Sequence, residues 1–466
     1  MNHAVIAFGG SRKASYAFST YASRRHPALI QNVSHLLRTR RFLPIFVTQL
    51  LGAFNDNLFK SAMVILATYA IYNDATKEAT FNGVAGALFI LPFFLFSALS
   101  GQLADANDKA RIIRIVKTAE ILIMIVGAAG LLLHNIPLLL SALFAMGVHS
   151  TFFGPIKYAI LPQHLERDEV LGGTGLVEAG TYIAILGGTI LGGLLVLQRS
   201  DGSYHAEWAA LAVLLVALVG RVAGSFVPPA PPADDPEIPG FPKRGMDWHI
   251  IRASITLVSA TLHVRRLFLA ILAISFFWAM GAVLAAQFPP LVKNSLNSDQ
   301  TVATLFLGTF SIGIAIGSVA VNRLLKGQVS AKFSPGSALA MGLFVVDLYR
   351  RVHSWPPGAG ELHDIRAFLD LPNSWMIVLD LLGVAIAGGM FVVPLYAFLT
   401  TTVPKSETAR TIAANNIVNS GLMVFATLIL TVAVQLGVTV GDSLLIVAVG
   451  SIIAAWLGWK LHLACD

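Results

Sequence analysis

The chain has 466 residues, 56% hydrophobic and only 12% charged, with a mean hydropathy of +0.73. That is half the charge of a typical soluble domain, about 25%, and it excludes a water-soluble globular surface. A net charge of +7 could suit nucleic acid, but in so apolar a chain it fits loops beside anionic lipid, so nucleic acid is set aside; the single cysteine, Cys465, excludes a disulfide framework, a Cys-rich zinc site and an iron–sulfur cluster.

Residues 1–41 hold seven Lys/Arg (Arg12, Lys13, Arg24, Arg25, Arg38, Arg40, Arg41) and no acid. The stretch is too polar for a secretory signal and reads as a basic cytoplasmic extension, with a transit peptide as the alternative. Apolar runs follow near 42–72, 81–100, 112–133, 137–158, 170–197 and 207–227. After a polar break they resume near 267–292, 300–324, 333–349, 375–398, 411–435 and 443–462. Each is long enough to cross about 30 Å of hydrocarbon as a helix at 1.5 Å per residue. The expected fold is therefore all-α and polytopic, with twelve transmembrane helices in two groups of six. The break at 228–266 contains PPAPPADDPEIPGFPKR, whose prolines cannot continue a helix. It marks a cytoplasmic linker between an N-terminal bundle (42–227) and a C-terminal bundle (267–466), as in carriers built from repeated halves.

Placing the N-terminus in the cytoplasm puts all but seven of the 32 basic residues on that side. The exceptions are Lys77, Arg199, Lys293, Arg350, Arg351 and Arg366 opposite, and Lys60 inside the first span. The excess of cytoplasmic positive charge orients the chain with both termini inside. The loop 350–374 is long for the far side, and its HDIRAFLDL segment can form a short interfacial helix.

Between spans two and three the sequence reads G-x-L-A-D-x-x-x-K-x-R, from Gly101 through Asp105 and Lys109 to Arg111. Glycine permits close helix approach, Asp can face a helix N-terminus, and the bases can latch one half to the other. The corresponding place in the second half keeps Gly317 and Arg323 but has Asn322 for Asp, a weaker latch. A second internal echo pairs Pro155-Ile-Lys157-Tyr158 with Pro394-Leu-Tyr396. Twenty residues beyond each tyrosine stand Glu178 and Asn416, as two homologous halves would have it.

Ionisable groups inside spans cost about 2.5–3.5 kcal/mol each at mid-bilayer, so they face a cavity or a partner. Span one carries Asp56, Asn57 and Lys60, with Asp56 and Lys60 on one helix face. Lys157 in span four and Glu178 in span five form a plausible pair across helices. Glu120 and Asp380 are weaker candidates, and span eleven offers the uncharged Asn415, Asn416 and Asn419. Each charge could equally serve a structural ion pair. Gly187-Gly188 and Gly192-Gly193 suit close helix packing, not a phosphate cradle, since no Gly-Lys-Ser/Thr follows. No HExxH, GxSxG or His-x4-Asp pattern occurs, so no enzymatic chemistry and no cofactor is expected.

The Gly101–Arg111 loop after span two of twelve resembles the signature of the major facilitator superfamily. Together with AFNDN (Ala53–Asn57), GPIKYAIL (Gly154–Leu161) and GLVEA (Gly175–Ala179), it makes the stretch from about 42 to 440 similar to the bacterial lysophospholipid transporter family. That resemblance implies the major facilitator fold, the bacterial inner membrane, and inward flipping of lysophospholipids by alternating access. It also implies reacylation by a separate or fused acyltransferase and acyl-carrier-protein synthetase. By motif match the family's functional aspartate falls on Asp56 and its PIKY lysine on Lys157. The substrate set is then Asp56, Asn57, Lys60, Lys157, Tyr158 and Glu178, and the latch Gly101, Asp105, Lys109 and Arg111. The basic extension, the 350–374 loop and Asn322 depart from the family pattern. The same fold could carry another amphipathic solute or drug, or act as a non-transporting scaffold for an acyltransferase.

Overall fold

The computed structural model describes residues 33–71, 75–198, 204–233, 247–356, 362–436 and 438–465. The basic extension expected over 1–41 thus lies outside the described residues as far as residue 32. Of its last part, Val33–Arg38 forms a 3₁₀ turn, and Arg41 pairs with Glu169 at 2.6 Å.

Twelve long helices are present among the described residues. The first six are α1 (Leu43–Leu66), α2 (Ala75–Ala106), α3 (Lys109–Leu132), α4 (Ile136–Ala159), α6 (Val170–Leu194) and α7 (Glu207–Ser225), with a one-turn α5 (Leu161–His164) between α4 and α6. The other six are α9 (Arg265–Pro290), α10 (Gln300–Leu325), α11 (Ser334–His353), α13 (Ser374–Thr402), α14 (Thr408–Gln435) and α15 (Leu444–Cys465). Ten of the twelve are apolar and long enough to cross a membrane over most of their length. The remaining two, α1 and α11, have the length but carry Asp56 and Lys60, or Asp347, Arg350 and Arg351. The expected short helix in the 350–374 loop is α12 (Ile365–Asp370), capped by Asp364 accepting from the Ala367 N–H at 2.8 Å.

Local chemistry explains the boundaries. Asp108 starts α3 by accepting from the Ala110 N–H at 2.8 Å, and Asn135 starts α4 by accepting from Leu138 at 3.0 Å. Lys326 ends α10 in the left-handed conformation, followed by Gly327 at φ 77°. Prolines 92, 155 and 394 lie inside α2, α4 and α13; the Thr151 carbonyl that Pro155 leaves free accepts from the Ser100 hydroxyl on α2 at 2.9 Å. The chain also contains a two-stranded ribbon, β1 (Leu197–Gln198) with β2 (Tyr204–His205).

In the first half α1 packs on α6 and α7, α3 on α4 and α7, and α2 on α4. In the second half α9 packs on α14 and α15, α10 on α13, and α11 on α13 and α15. In the first half a close approach follows the GxxxG spacing: a Cβ on Gly188 or Gly192 would stand 2.3 Å from the carbonyl oxygen of Phe54 or Leu58 on α1. The halves meet where α2 lies along α14 and α6 along α10. A short helix missed in the sequence, α8 (Ile250–His263), lies within the expected linker. It packs on α2 and α14, seating Ala253 and Leu257 against Ala98, Ala413, Ala414 and Ile417. Large apolar side chains such as Leu122, Leu215, Leu343, Phe425, Leu428 and Ile452 stay exposed on the outer helix faces, as a hydrocarbon solvent requires.

Candidate functional site: a central cavity between the halves

A cavity of about 380 Å³ lies between the two bundles. From α1 it takes Gln49, Asp56, Asn57 and Lys60, and from α4 His149, Ser150, Lys157 and Tyr158. The second half adds Trp278, Tyr396, Asn416 and Asn419, and Phe89, Ile90, Phe93 and Met423 form an apolar stretch of wall. The structure therefore brings Asp56, Asn57, Lys60, Lys157 and Tyr158 to one cavity.

Asp56 accepts from the Ser150 hydroxyl at 2.6 Å through one carboxylate oxygen; the other, Oδ1, is buried without a hydrogen-bond partner. Lys60, one helical turn on, lies 5.6 Å from the Phe89 ring centre. The pair shares a helix face as expected, but each has its own neighbour. Lys157 sits 4.6 Å from the ring centre of Tyr158, an attraction between cation and ring face. Glu178 is off the cavity wall and accepts a short hydrogen bond from the Tyr158 hydroxyl. Tyr158 thus stands between the two charges expected to pair across helices.

The tyrosine echo in the sequence becomes a contact between halves. Tyr158 stacks on Tyr396 with ring centres 4.6 Å apart and planes 9° apart, and Tyr182 stacks on Trp278 at 6.3 Å. The Trp278 indole N–H donates to the Tyr396 hydroxyl at 2.8 Å. Asn415 and Asn419, not Asn416, stand beside that hydroxyl. Tyr158, Tyr396 and Trp278 floor the cavity toward the end where α2 meets α14, and Tyr182 backs Trp278.

At that end Asp105 accepts from the backbone N–H groups of Ala409 and Arg410 at 3.0 and 2.9 Å. It thereby caps the first turn of α14 from the opposite half, where the helix dipole favours an anion. Gly101 lets the helices close up, since a Cβ there would meet the Ala413 methyl at 2.6 Å. Lys109 is fully buried and interacts electrostatically with Asp105 and Asp108. Arg111 is exposed and faces elsewhere, lining a second pocket between α2, α3 and α4. In the second half Asn322 is buried with its side-chain oxygen unpartnered.

Two groups were given little or no weight from sequence. Lys117 and Glu120 on α3 are buried and paired, and Asn55 donates to Glu120 at 2.9 Å. His149 Nε2 stands 3.4 Å from the same carboxylate. A Lys and a Glu three apart inside an apolar run were the available signal; nothing marked His149. Asp380 lies at the other end of the molecule, held by Arg351 at 2.8 Å in a triad with Asp347.

The sequence profile of the Major Facilitator Superfamily matches residues 45–427. The chain belongs to that superfamily. Lysophospholipid transporters of Salmonella, including those of S. newport strain SL254 and S. typhimurium strain LT2, are 26% identical over 408 residues, covering 86% of this chain and 90% of theirs. Among solved structures, the human organic anion transporter MFSD10 aligns over 90% of this chain and 99% of its own at TM-score 0.71 and 12% identity. The E. coli fucose:proton symporter FucP aligns over 90% and 98% at TM-score 0.64 and 13% identity. At those identities the likeness shows the fold alone, an all-α arrangement of two six-helix bundles.

Proposed function

We propose that this major facilitator carries lysophospholipids across a bacterial inner membrane by alternating access, exposing the central cavity to one leaflet and then the other. The observation that carries this reading is the composition of the cavity: a carboxylate, Asp56, and two ammonium groups, Lys60 and Lys157, share it with an apolar wall of Phe89, Ile90, Phe93 and Met423. A zwitterionic headgroup offers both charges in return, and an acyl chain suits the apolar side. In this reading Lys157 meets the phosphate as a point charge, Asp56 meets a cationic amine, and Asn57, Lys60 and Tyr158 complete the wall, with Glu178 fixing Tyr158. The similarity to the Salmonella transporters supports the same cargo class.

Bundles 42–227 and 267–466 move about the linker 228–266, with Gly101, Asp105 and Lys109 as the latch and both termini cytoplasmic. Flipped lipid is then reacylated by an acyltransferase. The test is uptake of labelled lysophosphatidylethanolamine into proteoliposomes, with a sugar and a cationic drug as parallel cargoes. Saturable lysolipid uptake with neither control moved is the expected result. Transport of the drug alone moves the protein to another cargo, and transport of nothing favours a scaffold.

A further inference from the structure

The second pocket, of about 710 Å³, exists because α2 and α3 both pack along α4 and scarcely touch each other. Its wall follows helical spacing, with Ile115, Ala119 and Ile123 on α3 and Phe144, Val148 and Phe152 on α4, each four residues from the last. Ile115 is exposed at the outer lip, so the groove opens outward among the apolar side chains of the molecular surface. His149 is buried at its inner side and also lines the central cavity, so one side chain separates the two spaces.

The polar groups stand at one end, where Asn107 and Arg111 flank the α2–α3 turn. Asn107 donates its amide to the Leu103 carbonyl at 3.0 Å. The Arg111 guanidinium has no hydrogen-bond or ion-pair partner among the described residues. From Arg111 to Ile123 the groove follows α3 for about 18 Å, close to one leaflet of a hydrocarbon core about 30 Å thick. It therefore presents a cation at the interface and an apolar channel beneath it.

We propose that this groove binds a diacyl acidic phospholipid of the surrounding bilayer, with its phosphate on Arg111 and one acyl chain along α3 and α4. The lipid is a resident ligand and not the cargo, so the site stands apart from the carrier reading above. The two linings separate the two chemistries. The central cavity offers Asp56 beside Lys60 and Lys157, charges of both signs for a zwitterion. The groove has no carboxylate in its lining, so an ethanolamine ammonium would find no partner there and would stand beside another cation. A headgroup of net negative charge meets a guanidinium able to engage two phosphate oxygens at once. Arg111 closes the signature loop in sequence yet takes no part in the α2–α14 junction; a lipid phosphate supplies the partner that the protein does not.

The test titrates the full-length protein, delipidated in detergent, with dioleoyl phosphatidylglycerol and with dioleoyl phosphatidylethanolamine, and reads the first bound lipid by native mass spectrometry. One basic residue beside anionic lipid is worth about fivefold in affinity, so phosphatidylglycerol should bind tighter by that factor or more. Arg111→Ala should bring the two lipids to parity, and Arg111→Lys should retain the preference. Ala119→Phe fills the groove and should weaken both lipids. Glycerol phosphate, which has the charge and no acyl chain, should displace neither. Equal affinity for both lipids in the wild type, or an unchanged preference in Arg111→Ala, overturns the site. Displacement by glycerol phosphate at the lipid's own concentration reveals a phosphate site without a chain groove and overturns it too. A preference lost in Lys157→Ala but kept in Arg111→Ala places the lipid in the central cavity and has the same consequence. Arg111 is exposed, so its variants keep the fold, and they decide alone should Ala119→Phe fail to fold.

Discussion

At the scale of single residues, Asp56 and Lys157 have different surroundings in one cavity, and this separates their expected roles. Asp56 keeps one oxygen on Ser150 and has the other open, whereas Lys157 lies over the Tyr158 ring. Lys157→Ala should impair every lysophospholipid tested. Asp56→Asn should impair ethanolamine-bearing lipids more than lysophosphatidylglycerol, which has no cation to lose. One charge-assisted contact, worth about 1.5–3 kcal/mol, predicts a tenfold or greater difference in affinity. Competition among headgroups at fixed acyl length measures it, and equal losses for all headgroups in Asp56→Asn would make Asp56 a gating residue. The residues of span one and the PIKY lysine were legible because charge inside an apolar run is costly. His149 and Ser150 were not, because their importance comes from helices α1 and α3 converging on α4, and a single helix sequence does not show what stands opposite.

At the scale of elements, two contacts carry measurable consequences. The α1–α6 seam depends on hydrogen-sized side chains, so Gly192→Leu should cost about 1–3 kcal/mol or more through overpacking. Lower thermal stability by size exclusion is the readout, and an unchanged profile would mean that α1 and α6 are farther apart than described. The α2–α14 junction depends on Asp105 as a borrowed cap. Asp105→Asn keeps an acceptor but loses the charge, and should alter exchange between conformations while sparing lysolipid binding. Arg111→Ala should do less, because Arg111 faces the second pocket and not α14. An Arg111→Ala defect as large as that of Asp105→Asn would overturn this ranking. Helix lengths, the short α12 and the glycine seam followed from sequence pattern, since apolar run length and glycine spacing are local facts. The α8 helix did not, because its apolar residues sit among the prolines and charges of a linker. Which seam it covers is decided only by the folded pair α2 and α14.

At the scale of the whole molecule, the sequence held the twelve spans and the two echoing halves. It also held the tyrosine echo, but not the fact that the equivalent rings would touch across the molecular axis. Symmetry within one chain predicts similar halves, not what lies on the line where they meet. The bias of positive charge gives a direct expectation for orientation: a reporter fused after Asp466 should be cytoplasmic, and one inserted within 357–360 should be external. Both reporters on the same side would overturn the proposed topology.

The stacked floor also gives the protein a built-in optical probe. Trp278 is packed against Tyr182 and hydrogen-bonded to Tyr396 while the halves are joined. When the floor parts, its indole exchanges aromatic neighbours for water, and its emission should move to longer wavelength. The difference between wild type and Trp278→Phe isolates that signal from the other six tryptophans. A cargo that drives the carrier through its cycle should modulate it, and an inert one should leave it constant, so conformational turnover becomes visible without any label.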